Sequence, residues 1–253
     1  MNVCVLASGS KGNTTYIETN ETKSLIDIGM TCGYVEKKLK EINVDPKDIQ
    51  NIFITHAHSD HINGLRVFLK KYNPVVYLTE EMEEELDLII DKTYYITKET
   101  VVGDMHVTPI KTSHDAADSS GYIFEAAGKT LMYMTDTGYI NMRNYPKLKN
   151  HNMYILESNH DTTMLMNSNY PYYLKQRILG DKGHLSNKDS AYYLSEFTTN
   201  NTQQVILAHL SEHNNEPKLA LSEYYKAYQK VGKKAPNVIV ATQKDRTEVI
   251  KLW

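Results

Sequence analysis

The sequence predicts an α/β protein made of two packed β-sheets with helices on their outer faces. Three observations support this. Apolar, β-rich stretches come in runs, with amphipathic helical stretches between the runs. No repeat, low-complexity linker or long charge run divides the 253 residues, so they read as one domain, 1–253. At 41% hydrophobic and 23% charged, the chain has the balance of a soluble protein with one large core. Strict βαβ alternation is absent, and two sheets flanked by helices is the natural layered solution.

Taken in order, strands are expected at 2–7, 14–18 and 24–28, with a loop over Ser8-Gly9-Ser10-Lys11-Gly12-Asn13 and Gly29 closing the third strand. A helix fits 34–42, where Val35, Leu39 and Ile42 share one face. The fully apolar strand 51–55 leads into a helix over 61–72 with Ile62, Leu65, Phe68 and Leu69 inward; strand 75–78 and helix 80–90 follow. Further strands fit 94–96, 105–111, 121–125, 130–135, 153–157, 204–208, 237–241 and 248–252. Helices fit 171–179, 187–197 and 217–231.

Lys and Arg number 28 against 31 Asp and Glu, a net charge of −3, so the chain has no global basic field and is not a histone-like coating protein. Two cysteines, Cys4 and Cys32, make no disulfide scaffold and read as buried thiols. MNVCVLASGSKGN lacks the basic start of a signal peptide, and no apolar run approaches the roughly 20 residues of a membrane span; a cytoplasmic protein is expected. The 19 tyrosines scatter along the chain, which suits packing better than a stacking platform.

The chemistry is concentrated in Thr55-His56-Ala57-His58-Ser59-Asp60-His61, where an apolar strand gives way to a helix. Residues i and i+2 of an extended backbone share a face, so His56 and His58 can grip one metal. Asp60 and His61, past the turn, can point at a second one nearby. His114, Asp136 and His209 each follow a predicted strand, the placement from which layered α/β proteins assemble sites.

These residues resemble the metallo-β-lactamase superfamily: THAHSDH, a downstream His, an Asp in TDTG and a late His. Within it, SGSKGN, LIDIG, THAHSDHINGL, SHDAADSSGY, TDTGY, ESNHD, GHLSN and HLSEHNN, over residues 8–215, are similar to the YycJ (WalJ) branch. The resemblance implies a four-layer αββα sandwich of two mixed sheets, with a dinuclear site along one edge. It implies two divalent metal ions, Zn or Mn. One is held by His56, His58 and His114, the other by Asp60, His61 and His209, and Asp136 bridges them. Asp27 resembles the family's buried acid that orients site residues. His184 in GHLSN resembles the extra histidine that phosphodiesterase members place beside the leaving group. His106 and His151 read as structural or surface residues; His160 and His213 lie in branch motifs and read equally as lining the site or as variable neighbours of it.

The function implied is a metal-dependent 5′→3′ exodeoxyribonuclease, with a part in mismatch repair. A hydroxide shared by the metals attacks phosphorus in line, with catalytic roles for Asp60 and His184. No basic stripe with interleaved aromatics is present, so DNA contacts are expected near the site: Lys11 and Asn13 in the first loop, Asn159, Arg177 and Lys182 ahead of His184, and Asn187. A hydrolase of small cyclic phosphodiesters or nucleotides is the alternative, and a metal-binding regulatory module a third reading. Homo-oligomerisation is common in this superfamily, but no apolar stripe demands it.

Overall fold

A computed structural model describes residues 1–252. Its strands, in chain order, are β1 (Asn2–Ala7), β2 (Thr14–Glu18), β3 (Lys23–Ile26), β4 (Asn51–Phe53), β5 (Val75–Leu78), β6 (Thr93–Tyr95), β7 (Thr100–Val102), β8 (Met105–Lys111), β9 (Ser120–Ala126), β10 (Lys129–Met134), β11 (Met153–Glu157), β12 (Gln204–Ala208), β13 (Asn237–Val240) and β14 (Ile250–Lys251). Two seven-stranded sheets result, ordered β14-β1-β2-β3-β4-β5-β6 and β13-β12-β11-β10-β9-β8-β7. In each, an antiparallel meander continues into parallel strands: β3, β4, β5 and β6 in the first, β10, β11, β12 and β13 in the second. Both sheets are therefore mixed. The helices are α1 (Cys32–Glu41), α2 (Ser59–Ile62), α3 (Leu65–Tyr72), α4 (Glu80–Leu86), α5 (Tyr145–Leu148), α6 (Thr162–Asn167), α7 (Tyr172–Leu179), α8 (Asn187–Phe197) and α9 (Pro217–Lys230).

The period of two along each strand sorts side chains into three apolar layers. Val3 and Val5 of β1 point between the sheets, with Leu131 and Tyr133 of β10 and Ile206 of β12. Cys4 and Leu6 point the other way, against Val35 and Leu39 of α1 and Phe68 of α3. On the second sheet Met132, Tyr154 and Leu207 meet Leu194, Tyr224 and Tyr228 of α8 and α9. Helix, sheet, sheet, helix is the four-layer sandwich expected. Cys4 and Cys32 are free and buried.

Most predicted elements recur with shifted ends, and the departures have local causes. The strand expected at 51–55 stops at Phe53 because the Thr55 amide turns to Asp27 Oδ1 at 2.8 Å. The helix expected at 61–72 is two helices, α2 and α3, broken where the Gly64 amide donates to Ile28 O at 2.9 Å. The one expected at 80–90 ends at Leu86 on a left-handed Asp87. β7, α5 and α6 were not anticipated. Among the described residues no helix is long and apolar enough to cross a membrane.

Candidate metal centre

β1, β3 and β4 run in one direction, as do β8, β10, β11 and β12, so their carboxyl ends carry the polar residues together. Asp27 follows β3, Thr55 and His56 follow β4, His114 follows β8, Asp136 follows β10, Glu157 closes β11 and His209 follows β12. This is the edge at which α/β sheets gather ligands. Short bonds join the two sheets there. The Tyr122 hydroxyl donates to Ile54 O at 2.5 Å, Ser120 N to Thr55 O at 2.9 Å, and His209 N to Ser8 Oγ at 2.7 Å. Asp27, Asp136 and His209 all have left-handed backbones, with φ of 58°, 55° and 55°. Such angles are uncommon outside glycine and concentrate at functional sites.

The ligand atoms of His56, His58 and His114 lie within 4.8 Å of one another, and so do those of Asp60, His61 and His209. Asp136 stands between the sets: it groups with His56 and His61 on one side and with His209, His184 and Glu157 on the other. Its Oδ2 is 3.1 Å from His61 Nε2 and 3.3 Å from His209 Nδ1, while Oδ1 is 3.9 Å from His114 Nε2. Burial opposes the Asp136 charge, but His209 and His61 outweigh it and hold the carboxyl well below its usual range. Burial, then the neighbouring His61, pushes His56 well below the ordinary imidazole value, into the neutral form that ligates metals.

The donors fit divalent ions. His56 Nε2, Asp136 Oδ2 and His209 Nδ1 are buried without a hydrogen-bond partner, an arrangement costly unless a cation satisfies them. Imidazole with carboxylate suits Zn²⁺ or Mn²⁺. Packed around these atoms are residues that fix them. Asp27 accepts from Thr55 N and Thr55 Oγ1, both 2.8 Å, and from His61 Nδ1 at 2.7 Å, which turns His61 Nε2 toward Asp136. His114 Nδ1 faces Gly183 O at 3.2 Å.

His184 Nδ1 sits 2.7 Å from Glu157 Oε1 and 3.6 Å from Asp136 Oδ1, and its ring stacks on His209. Burial disfavours the His184 cation, but Glu157, joined by Asp136 and Asp60, more than offsets this and raises the imidazole to about 9. Glu157 is fully buried, and its Oε2 accepts from Thr137 N at 3.0 Å. Sequence reasoning missed it. The signal was a carboxylate closing the apolar run MYILE.

The residues expected to touch DNA divide. Asn13, Asn159 and Asn187 are buried and already bonded. Asn13 Oδ1 accepts from Gly9 N at 3.0 Å and its amide nitrogen is 3.1 Å from His61 Nε2; Asn159 donates to His209 O at 3.0 Å; Asn187 Oδ1 accepts from Ser158 Oγ at 2.6 Å. All three brace the loops behind the centre and do not face solvent. Arg177 is exposed, with its Nε 2.5 Å from Asp115 Oδ2.

A metallo-β-lactamase superfamily model matches residues 7–162. The chain is 39% identical over 223 residues to exodeoxyribonuclease YycJ of Bacillus anthracis, covering 85% of this chain and 84% of the relative. It is 38% identical over 225 residues to exodeoxyribonuclease WalJ of Streptococcus pneumoniae, with the same coverage. Among solved structures, the metallo-β-lactamase fold protein YhfI of Bacillus subtilis superposes with a TM-score of 0.73 at 15% identity, over 98% of this chain and 99% of that one; that likeness bears on the fold alone. With the family model and both relatives spanning most of its length, the chain belongs to the metallo-β-lactamase superfamily of hydrolases, in its YycJ/WalJ branch.

Proposed function

We propose that this chain is a cytoplasmic, one-domain phosphodiesterase with two divalent metal ions, Zn or Mn, that degrades DNA from its 5′ end and takes part in mismatch repair. The observation that carries the reading is the pair of three-residue donor sets, His56/His58/His114 and Asp60/His61/His209, with Asp136 between them. The 38–39% identity to two proteins named exodeoxyribonuclease directs the substrate toward DNA.

When bound, two divalent ions supply an activated water nucleophile near neutral pH and neutralise charge on the non-bridging phosphate oxygens. The protein's own residues do the rest. Asp27 and Thr55 lock the rings of His61 and His56, so the donors are held before substrate arrives. Asp136 carries charge in a buried place between the two sets. His184, paired with Glu157 and 3.6 Å from Asp136, is positioned to hand a proton to the departing oxygen.

The test uses protein reconstituted with Mn²⁺ or Zn²⁺, beside Asp60→Ala. Substrates are linear DNA with free or blocked 5′ ends, closed circles, matching RNA and a small cyclic phosphodiester. Loss of linear DNA that needs the 5′ end, the metal and Asp60 is the expected result. Turnover of the small diester alone would overturn the DNA assignment and favour the small-substrate hydrolase.

A further inference from the structure

A strand of DNA reaching this centre needs a place for its phosphates, and a chain of net charge −3 supplies none globally. Four cations in this part of the molecule are answered. Lys11 pairs with Glu212 at 2.6 Å, Arg177 with Asp115 at 2.5 Å, and Lys111 with Asp118; Lys175 is spent on the carbonyls of Met166 and Ser168, both 2.7 Å. Arg143 differs. It is exposed, and among the described residues its guanidinium has no ion pair or hydrogen bond. Only its backbone is engaged, donating to Asn141 Oδ1 at 3.0 Å, which fixes the turn that carries it.

Arg143 lines a cavity of about 220 Å³ with Lys111, Ser113, Tyr139, Asn141 and Asn144. Two of its lining residues are near neighbours in the chain of the candidate metal donors. Ser113 precedes His114, and Tyr139 lies just past Asp136 in TDTGY. Their two segments are tied together: Gly138 N donates to Ser113 O at 2.9 Å, and Ser113 N to Thr137 Oγ1 at 3.1 Å. Tyr139 is 40% exposed. An aromatic face, two amides and an unanswered guanidinium make a poor seat for an apolar molecule. They suit a nucleotide, whose base has a face to stack and whose phosphate takes the arginine fork.

We infer that this cavity binds a nucleotide of the DNA strand flanking the scissile phosphate, with its base against Tyr139 and its phosphate on Arg143. The inference rests on the nuclease reading above and adds to it the place where the strand is held. Arg177, the arginine expected from sequence to do this, has its charge already met by Asp115.

The experiment compares metal-loaded wild type with Arg143→Ala, Arg143→Lys, Tyr139→Ala and Tyr139→Phe. The substrates are a 5′-phosphorylated single strand and bis(p-nitrophenyl) phosphate, a diester too small to span both places. KM for the strand should rise roughly tenfold in Arg143→Ala and in Tyr139→Ala. Tyr139→Phe should stay within about threefold of wild type, since the ring is kept, and Arg143→Lys, which keeps the charge but loses the fork, should fall between wild type and Arg143→Ala. The dependence of log(1/KM) on log salt should become shallower by about one in Arg143→Ala. Turnover of the small diester should not change. An unchanged KM and salt slope in a protein that still degrades DNA would overturn the cavity assignment and leave the nuclease standing. An equal loss on both substrates would also overturn it, by making Arg143 a support of the metal centre. Wild type that cleaves only the small diester would overturn the nuclease reading itself.

Discussion

Asp27 Oδ2 and His61 Nδ1 lie 2.7 Å apart, and neither side chain is exposed to solvent. The carboxylate also accepts both the amide and the hydroxyl of Thr55, so one buried acid ties the end of β3 to the turn after β4 and sets the tautomer of His61. Asp27→Asn keeps the shape but turns one acceptor into an N–H that must face a donor, either His61 Nδ1 or the Thr55 amide. Metal affinity at the Asp60/His61/His209 set should fall about 10- to 100-fold. Competition with a chelating dye measures this. An affinity equal to wild type would mean that Asp27 serves folding alone.

Metal removal should destabilise the fold. Without a cation, His56 Nε2, Asp136 Oδ2 and His209 Nδ1 stay buried without a hydrogen-bond partner. Ligand at about 100 times its dissociation constant adds about 2.7 kcal/mol. At roughly 2–4 °C per kcal/mol for a chain of this size, chelation should lower the melting temperature by about 5–10 °C. Thermal scans with chelator, and with Mn²⁺ or Zn²⁺ restored, read the difference. His56→Ala should shrink it.

Much of this centre was legible in the sequence because its residues stand at strand ends, and strand ends are marked by the apolar run before them. HAHSDH after NIFIT, Asp136 after LMYMT and His209 after VILA follow that rule. What stayed hidden depended on contacts from elsewhere in the chain. The break between α2 and α3 follows from the Gly64 bond to Ile28 O, which no local pattern encodes. Glu157 reads as the last residue of a strand until His184, 27 residues on, is brought against it. Asn13, Asn159 and Asn187 look like phosphate donors by type, yet their amides bond within the protein. Conversely Arg143 looks like ordinary surface, and only the folded chain puts it in a cavity beside Ser113.

The loop after β3 passes so close to the turn that carries Asp60 and His61 that one methyl should break the fit. A Cβ on Gly29 would fall 1.7 Å from the Asp60 carbonyl oxygen and 2.5 Å from the Asn13 amide, both backbone atoms. Neither can move without shifting Asp60 or His61. Gly29→Ala should cost about 3 kcal/mol or more. It should also weaken metal binding, because Asp60 is pushed aside. Urea unfolding with and without metal separates the two effects, and a stability within about 0.5 kcal/mol of wild type would contradict this packing.

His160 supplies an acid-sensitive contribution to stability. Burial, only partly opposed by Glu157, lowers its imidazole from 6.5 to about 4. The folded protein therefore holds it neutral where the unfolded chain is protonated. The unfolded state binds more protons in that window, so stability rises with pH across it. The contribution is fully present above pH 6.5 and is lost as pH falls toward 4. Between pH 7 and 4.5 this amounts to about 2–3 kcal/mol. His160→Gln should flatten the acid arm of the stability curve by that amount, as read by chemical denaturation at the two values. An unchanged slope would show that other groups set the acid limit.

Glu157 and His184 make a pair whose role can be told apart from that of the metal donors. Glu157 Oε1 is 2.7 Å from His184 Nδ1, while its Oε2 accepts from Thr137 N and, at 3.3 Å, from Leu185 N. Glu157→Gln can keep one backbone bond but removes the charge that favours protonated His184. If His184 protonates the departing oxygen, the loss should depend on how much that oxygen needs a proton. A DNA 3′-oxygen is a poor leaving group, and kcat on DNA should drop about 10²- to 10⁴-fold. Bis(p-nitrophenyl) phosphate releases a stable nitrophenolate, so its kcat should drop far less. KM for both should stay near wild type, since neither residue reaches the cavity beside Ser113. Equal losses on the two substrates would place the effect on the metal centre, through the Asp136 contact at 3.6 Å, and remove His184 from proton transfer.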